Sequence, residues 1–232
     1  MATLQSFVRN FNSKLEAPVR QHLQNVYACL TFSTAAAALG AYIHIYTEVF
    51  TAGFLSALGA MGLLMLLMGT PYNGKNMQLR LGYLLGFAFF SGHGMGPLLD
   101  AVIEVDPSII VTAFFCTCII FVSFSLCAMF AERGRWLYLG GTLLSLVSTL
   151  FIFSVINVFV GSYYLFQASL YIGLALMCAF VLYDTQLIIE KRRNGDKDFV
   201  EHSLDLFIDF IGIFRRLVII LTQKEQKKRR RD

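Results

Sequence analysis

The segment "HSLDLFIDFIGIFRRLVIIL", residues 202–221, is long enough to cross a bilayer and yet carries Asp205, Asp209, Arg215 and Arg216. A charge at the centre of a spanning helix costs roughly 2.5–3.5 kcal/mol on insertion scales, so four of them require a reason. At 100° per residue, Asp205, Asp209, Gly212 and Arg216 fall within about 60° of arc, and His202 extends the same edge. Leu206, Phe207, Phe210, Phe214 and Leu217 occupy the other faces. Such a helix has one polar edge, aimed at something other than hydrocarbon. Pairing of these charges among themselves at i, i+4 or i+7 is the plainer alternative, weakened because Asp205 and Asp209 repel.

A partner is available in "FVLYDTQLIIE". Asp184 stands six residues before Glu190, about 9 Å in from that end, and Asp209 stands eight after Glu201, about 12 Å in. Two carboxyls facing each other in low dielectric cannot both ionise cheaply, so they tend to share a proton. Protonated, the pair ties two helices together; ionised, it offers oxygens to a hard cation such as Ca²⁺. A structural hydrogen-bonded pair without transport is the competing interpretation.

The elements that would position these groups follow from composition. The 232 residues are 56% hydrophobic and 15% charged, and mean hydropathy is +0.63. A soluble domain carries about 25% charged residues. Apolar runs recur at about 27–46, 50–69, 81–99, 109–130, 136–157 and 164–189, followed by the charged segment 203–222. The expected fold is therefore all-α: a polytopic bundle of six spanning helices around or beside a seventh intramembrane helix. Residues 1–26 form an N-terminal tail, 27–222 one transmembrane domain and 223–232 a basic tail. Residues 1–26 lack the apolar core of a cleavable signal, so the first span is expected to act as its own insertion signal. Cys29, Cys116, Cys118, Cys127 and Cys178 all fall within spans and are expected to be small hydrophobes.

Lys and Arg set the orientation. Seventeen of the 19 lie in the N-terminal tail, the second, fourth and sixth loops, and the C-terminal tail; the other two are Arg215 and Arg216. The first, third and fifth loops have none and hold Glu48, Asp100, Glu104 and Asp106 instead. Both termini are thus expected in the cytosol. Lys227, Lys228, Arg229, Arg230 and Arg231 suit positive-inside topology, anionic lipid or an acidic protein partner. A re-entrant seventh segment, or one sheltered within the bundle, keeps that tail cytosolic.

Other signals are weaker. In "SGHGMGPLLD", Pro97 would kink the third span, and the glycines allow close approach. Gly82–Gly86, and Ser56, Gly59 and Gly62, have spacings that suit helix packing. His93 is expected to titrate near that span's end or, more simply, to be a packed, hydrogen-bonded residue. Asp100, Glu104 and Asp106 are expected either to attract Ca²⁺ at the luminal entrance or to be ordinary solvated loop charges. No H-E-x-x-H or G-x-S-x-G constellation is present, and Ser91 and His93 point apart on a helix, so no enzyme is expected and no cofactor. Nucleic acid is not an expected partner.

Four stretches together resemble the transmembrane Bax-inhibitor-motif family, in its endoplasmic-reticulum branch: "FVLYDTQLIIEK", "DLFIDFI" before a basic tail, "GHGMGPLLDAV" and "SLYIGLALMCAFVLYDTQ". The resemblance runs from about Val26 to Arg216. It implies a seven-helix bundle enclosing its last helix, a pH-sensitive Ca²⁺ leak from the endoplasmic reticulum and suppression of stress-induced apoptosis. By position, Asp184 and Asp209 would be the proton-sharing pair and transient Ca²⁺ ligands, with Asp205 beside them and His202, Arg216, Asp100 and Glu104 as accessories. Prokaryotic relatives use a basic residue of the second span as a latch on this pair; span 50–69 has none, which departs from that scheme. The principal alternative is a non-conducting scaffold that restrains cell-death and stress-sensing membrane proteins, and an H⁺-coupled exchanger is third. Expected partners are Ca²⁺, protons, membrane lipids and such membrane proteins.

Overall fold

A computed structural model describes residues 15–47 and 52–231. Arg9 and Lys14 of the N-terminal tail, Glu48, and the first two residues of the expected span 50–69 lie outside them. Among the described residues the fold is all-helical: α1 (Ala17–Tyr46), α2 (Phe54–Gly69), α3 (Met77–His93), α4 (Gly96–Val105), α5 (Ser108–Phe130), a 3-10 turn (Leu137–Leu139), α6 (Gly140–Val160), α7 (Tyr163–Arg193) and α8 (Phe199–Arg229). Four stretches are long and apolar enough to cross a membrane: α1, α5, α7, and the turn plus α6 from Leu137 to Val160. The 16-residue α2 is apolar but shorter.

Three boundaries differ from those expected. α1 begins at Ala17, ten residues early, because Val19, Leu23, Val26 and Leu30 form a buried stripe at helical spacing. The expected span 81–99 is two helices, not one kinked helix. Pro97 lacks an amide proton and favours a first helical turn, so a new helix starts at Gly96. Gly94 and Met95 form the turn between, through Gly94 N–H to Phe90 O and Met95 N–H to Gly92 O. The segment 203–222 is the middle of α8, one unbroken 31-residue helix about 46 Å long at 1.5 Å per residue. It contains no turn at which the chain could double back.

The chain divides into two compact units. Among the described residues, one comprises 17–47, 52–107 and 195–207, the other 15–16, 108–194 and 208–231. In the first, α1 crosses α3 closely. A Cβ on Gly92 would run into the carbonyl of Ala37, and one on Gly40 into that of Phe89. Glycine is required here by backbone proximity. Of the small residues singled out from sequence, Gly86 faces Leu63 and Gly59 faces Phe90, while Gly62 and Gly82 open onto nothing. A core of Cys29, Leu67, Leu84, Val200 and Leu204 lies under the start of α8.

Arg80 corrects the loop assignment made from charge alone. It lies in α3, 2% exposed, and its guanidinium binds Asp198 together with the carbonyls of Leu67 and Thr70 at the end of α2. Asp198 in turn accepts the Glu201 amide at 3.2 Å and so caps the first turn of α8. A buried guanidinium needs such partners to offset its lost hydration.

In the second unit, α7 starts at Ser162, whose hydroxyl accepts the Leu165 amide, and ends with Lys191, Arg192 and Arg193 against the negative end of its dipole. Gln186 joins α7 to the end of α5, donating to the carbonyls of Ala128 (3.2 Å) and Glu132 (3.0 Å) and accepting the Trp136 amide. One residue past the apolar stretch 164–189, Glu190 takes a bidentate pair from Arg133 and a further bond from Arg193.

Candidate functional site

The site is built on α7 and α8, and three contacts fix their register. Gln167 donates to Gln223 at 2.6 Å. A Cβ on Gly173 would meet the Arg216 guanidinium, and one on Gly212 would meet the Met177 sulfur at 2.8 Å. As the number falls on α8 it rises on α7, so the helices run antiparallel along most of their length. Continuing that register sets Asp209 level with position 180. Asp184 then lies one turn, about 6 Å, further along the axis.

Direction matters as much as level. Helical side chains lean toward the N-terminus of their own helix. In an antiparallel pair, Asp184 therefore leans back toward position 180, and Asp209 leans toward the level of Asp184. By this lean alone, both Cα–Cβ bonds tilt toward the interval between the two levels. Asp209 is 3% exposed. Its neighbour Phe210 faces another way, against Phe114 and Phe121 of α5 with ring centroids 6.1 and 5.5 Å apart. Asp184 is half-buried between buried Leu182 and Thr185.

Arg216 continues the edge. Its Nη1 donates to the Gly212 carbonyl at 3.0 Å, and Gly173 leaves the space that the guanidinium fills. Arg215, on another face, is exposed.

The remaining sequence candidates separate from this edge. Buried His202 hydrogen-bonds His22 of α1 at 2.8 Å, with Asp196 Oδ2 3.5 Å from its other nitrogen. Asp205 is half-buried in the unit that contains His202. Asp100 pairs with His44 at 2.9 Å, and Glu104 is exposed. His93 is fully buried and bonded to Ser56 Oγ at 2.9 Å, the packed role expected of it. Lys227, Lys228 and Arg229 form the exposed last turn of α8, followed by exposed Arg230 and Arg231. No group of three or more His, Cys, Asp or Glu capable of holding a metal occurs among the described residues.

Sequence reasoning missed the two histidine pairs and the Arg80–Asp198 clamp. His22 and Arg80 carried a usable signal: each sits where helical periodicity calls for a buried residue, His22 beside Leu23 and Arg80 four residues before Leu84.

Only outside the membrane does a shifted group clarify the site's surroundings. Glu190 is held below the usual carboxylate range, chiefly by its hydrogen bonds from Arg133, with burial opposing and Arg193 assisting. The cytosol-facing end expected for α7 is thus pinned to the loop after α5.

Comparison with known proteins agrees with this arrangement of motifs. The family described as "Inhibitor of apoptosis-promoting Bax1" matches residues 19–226. "Probable Bax inhibitor 1" of Paralichthys olivaceus is 49% identical over 231 residues, covering 97% of this chain and 98% of that protein. "Bax inhibitor 1" of Homo sapiens is 50% identical over 218 residues, covering 94% and 92%. "Bax inhibitor 1" of Arabidopsis thaliana is 40% identical over 222 residues, covering 95% and 88%. With the motifs of α3–α4, α7 and α8 spanned by one family match and near-complete coverage of relatives, the chain belongs to the Bax inhibitor family.

Proposed function

We propose that this protein suppresses stress-induced apoptosis from the endoplasmic reticulum membrane, acting as a pH-sensitive Ca²⁺ leak. The names of its relatives support the first part; they are called inhibitors of Bax. What supports the second is the α7–α8 register, which sets buried Asp209 and half-buried Asp184 about one helical turn apart on antiparallel neighbours. A shared proton there holds the helices together. Its loss leaves two like charges in low dielectric, which either separate or take up a cation. Ca²⁺ seeks six to eight oxygens, so two carboxylates suit brief passage better than storage. Asp205 and Arg216 are accessory charges on the same helix, and Asp100 and Glu104 are acidic groups toward the first and third loops. The protein is not an enzyme in this reading.

The N-terminus, with the second, fourth and sixth loops, faces the cytosol. For the basic tail, two observations pull apart. Its charge favours the cytosol. The Gln167–Gln223 pair favours the other face, because it sets the tail at the end of α7 where that helix begins. Protease access to a tag after Asp232, with the endoplasmic reticulum membrane sealed, separates the two.

The experiment for the leak is Ca²⁺ flux from proteoliposomes between about pH 5 and 8, the window in which perturbed carboxyls act. Asp209→Asn is expected to lower flux severalfold in folded protein. Asp184→Asn removes the like charge while preserving size and hydrogen bonding, so it should shift or flatten the pH profile. Unchanged amplitude and midpoint in both variants would favour the scaffold reading. That reading has its own support in α6: only 6% of its most apolar window is buried, leaving a broad surface for lipid or a partner helix.

A further inference from the structure

We infer that His44 is an acid-released latch on the start of α2, independent of the carboxyl pair on α7 and α8. His44 lies in the last turn of α1, with its side chain buried. Both ring nitrogens are engaged. Nδ1 accepts the backbone N–H of Ala52 at 2.7 Å, and Nε2 lies 2.9 Å from Asp100 Oδ2 on α4. An amide can only donate, so Nδ1 carries a lone pair. The ring proton must then sit on Nε2 and point at the Asp100 carboxylate. The structure therefore specifies the neutral imidazole in a single tautomer.

The ring has no freedom to choose another arrangement. A Cβ on Gly96 would overlap it, so the imidazole lies directly on the backbone at the start of α4. The His93 ring from α3 closes another side, T-shaped at 5.5 Å between centroids. Among the described residues, Asp100 of α4 and His93 of α3 are the ionisable groups packed on His44. The segment leading into α2 contributes the Ala52 amide, and the first turn of α2 contributes, behind His93, the Ser56 hydroxyl, which also accepts the Gly53 amide at 3.4 Å. α2 is thus moored at its beginning by two histidines of different character. His93 holds a hydroxyl, which can donate or accept; His44 holds an amide, which cannot.

That difference makes one mooring sensitive to acid. Protonation adds a hydrogen at Nδ1 and sets N–H against N–H at Ala52, so the bond to α2 must break. The Nε2–H to Asp100 contact survives and strengthens, because imidazolium faces carboxylate. Asp100 is 51% exposed, so protons reach the pair from solvent. Acid moves His44 from holding both α2 and α4 to holding α4 alone.

The test is hydrogen exchange at the Ala52 amide in the full-length protein in nanodiscs, at pH 5–8, normalised to the intrinsic exchange rate at each pH. Because release is coupled to one proton, protection should fall by up to about tenfold per pH unit across the range where imidazoles titrate. His44→Gln presents an acceptor to Ala52 and donors to Asp100 but does not titrate, so the step should vanish while protection remains. Constant protection in the unsubstituted protein, or a step that persists in His44→Gln, would each overturn the latch. Ca²⁺ flux plays no part in this readout, so the leak and the latch stand or fall separately.

Discussion

The two units keep polar groups in apolar surroundings by different means. In the unit of α1–α4 and the start of α8, three buried polar side chains reach across to another element: Arg80 to Asp198, His22 to His202 and His93 to Ser56. In the unit of α5–α7 and the rest of α8, Gln186 also reaches across, from α7 to the end of α5, but the charged groups Asp209 and Arg216 are strung along one edge of one helix. Asp209 and Arg216 are of opposite sign but seven residues apart, about 10 Å along the axis, and Arg216 gives a proton to its own helix at Gly212. A cross-element pair is a lock, because neither partner can change state without leaving the other stranded. A polar edge running along a helix can change charge while the helix, which owes its place to Leu206, Ile213 and Val218, stays where it is. Groups that must alternate belong in the second arrangement.

Breaking the strongest lock is the sharpest trial of this contrast. Arg80→Ala leaves Asp198 buried without its cation, and Asp198→Asn keeps the cap on α8 but strands the guanidinium. Removing one member of a buried pair costs about 3–5 kcal/mol, so both variants should melt many degrees lower in thermal unfolding. Asp209→Asn should change melting far less than flux. If Asp209→Asn destabilises the protein as much as Arg80→Ala does, the edge is a lock as well and the distinction fails.

The next effect is smaller and tests the register itself. Gly173 leaves room for Arg216, so Gly173→Leu would fill that room and push the guanidinium toward apolar neighbours. Overpacking of this kind costs about 1–3 kcal/mol. It should also disturb flux, because α7 and α8 must shift to accommodate the new side chain. Gly141→Leu, at a position that opens onto nothing, is the matched control and should leave both readouts unchanged. Equal behaviour of the two variants would mean that α7 and α8 do not meet as described.

How much of this was legible in sequence depended on whether the cause was local. The apolar runs of α5, α6 and α7 announce themselves, since hydrocarbon selects each residue separately. The polar edge of α8 was legible too, because periodicity is a property of neighbours. The break at Gly94–Met95 was half-legible: glycine and proline both signal irregularity, but whether they bend one helix or start another depends on what α1 presents at Gly40 and His44. Arg80 looked like a loop charge because its partner is 118 residues away. Only its spacing before Leu84 hints that Arg80 is buried; nothing nearby names the partner that lets a guanidinium be there. The His44 tautomer depends on three elements meeting at one ring, and no spacing rule reaches that far.

The smallest effect concerns an exposed pair, and its sign can be worked out. Arg133 holds Glu190 in a bidentate bond while its own side chain remains 68% exposed, so solvent screens most of the attraction. Glu190 is nonetheless held below the usual carboxylate range, first by Arg133 and then, against the opposing effect of burial, by Arg193. A carboxyl whose folded pKa is depressed adds stability that is present in full above its unfolded value, about 4.3, and is lost as pH falls through the lower folded value. Arg133→Ala removes the leading cause, leaving Arg193 as the remaining partner. Both proteins should begin to lose this contribution near the unfolded value, but in the variant the loss should be smaller and complete at higher pH, with stability near neutrality lowered only by the loss of a screened surface pair. Melting temperature measured from pH 3 to 6, at low and at raised salt, reads the difference directly. Added salt should shrink the gap between the two proteins. If their acid limbs coincide at low salt, Arg133 does not govern Glu190, and the end of α7 is held by Gln186 and Arg193 alone.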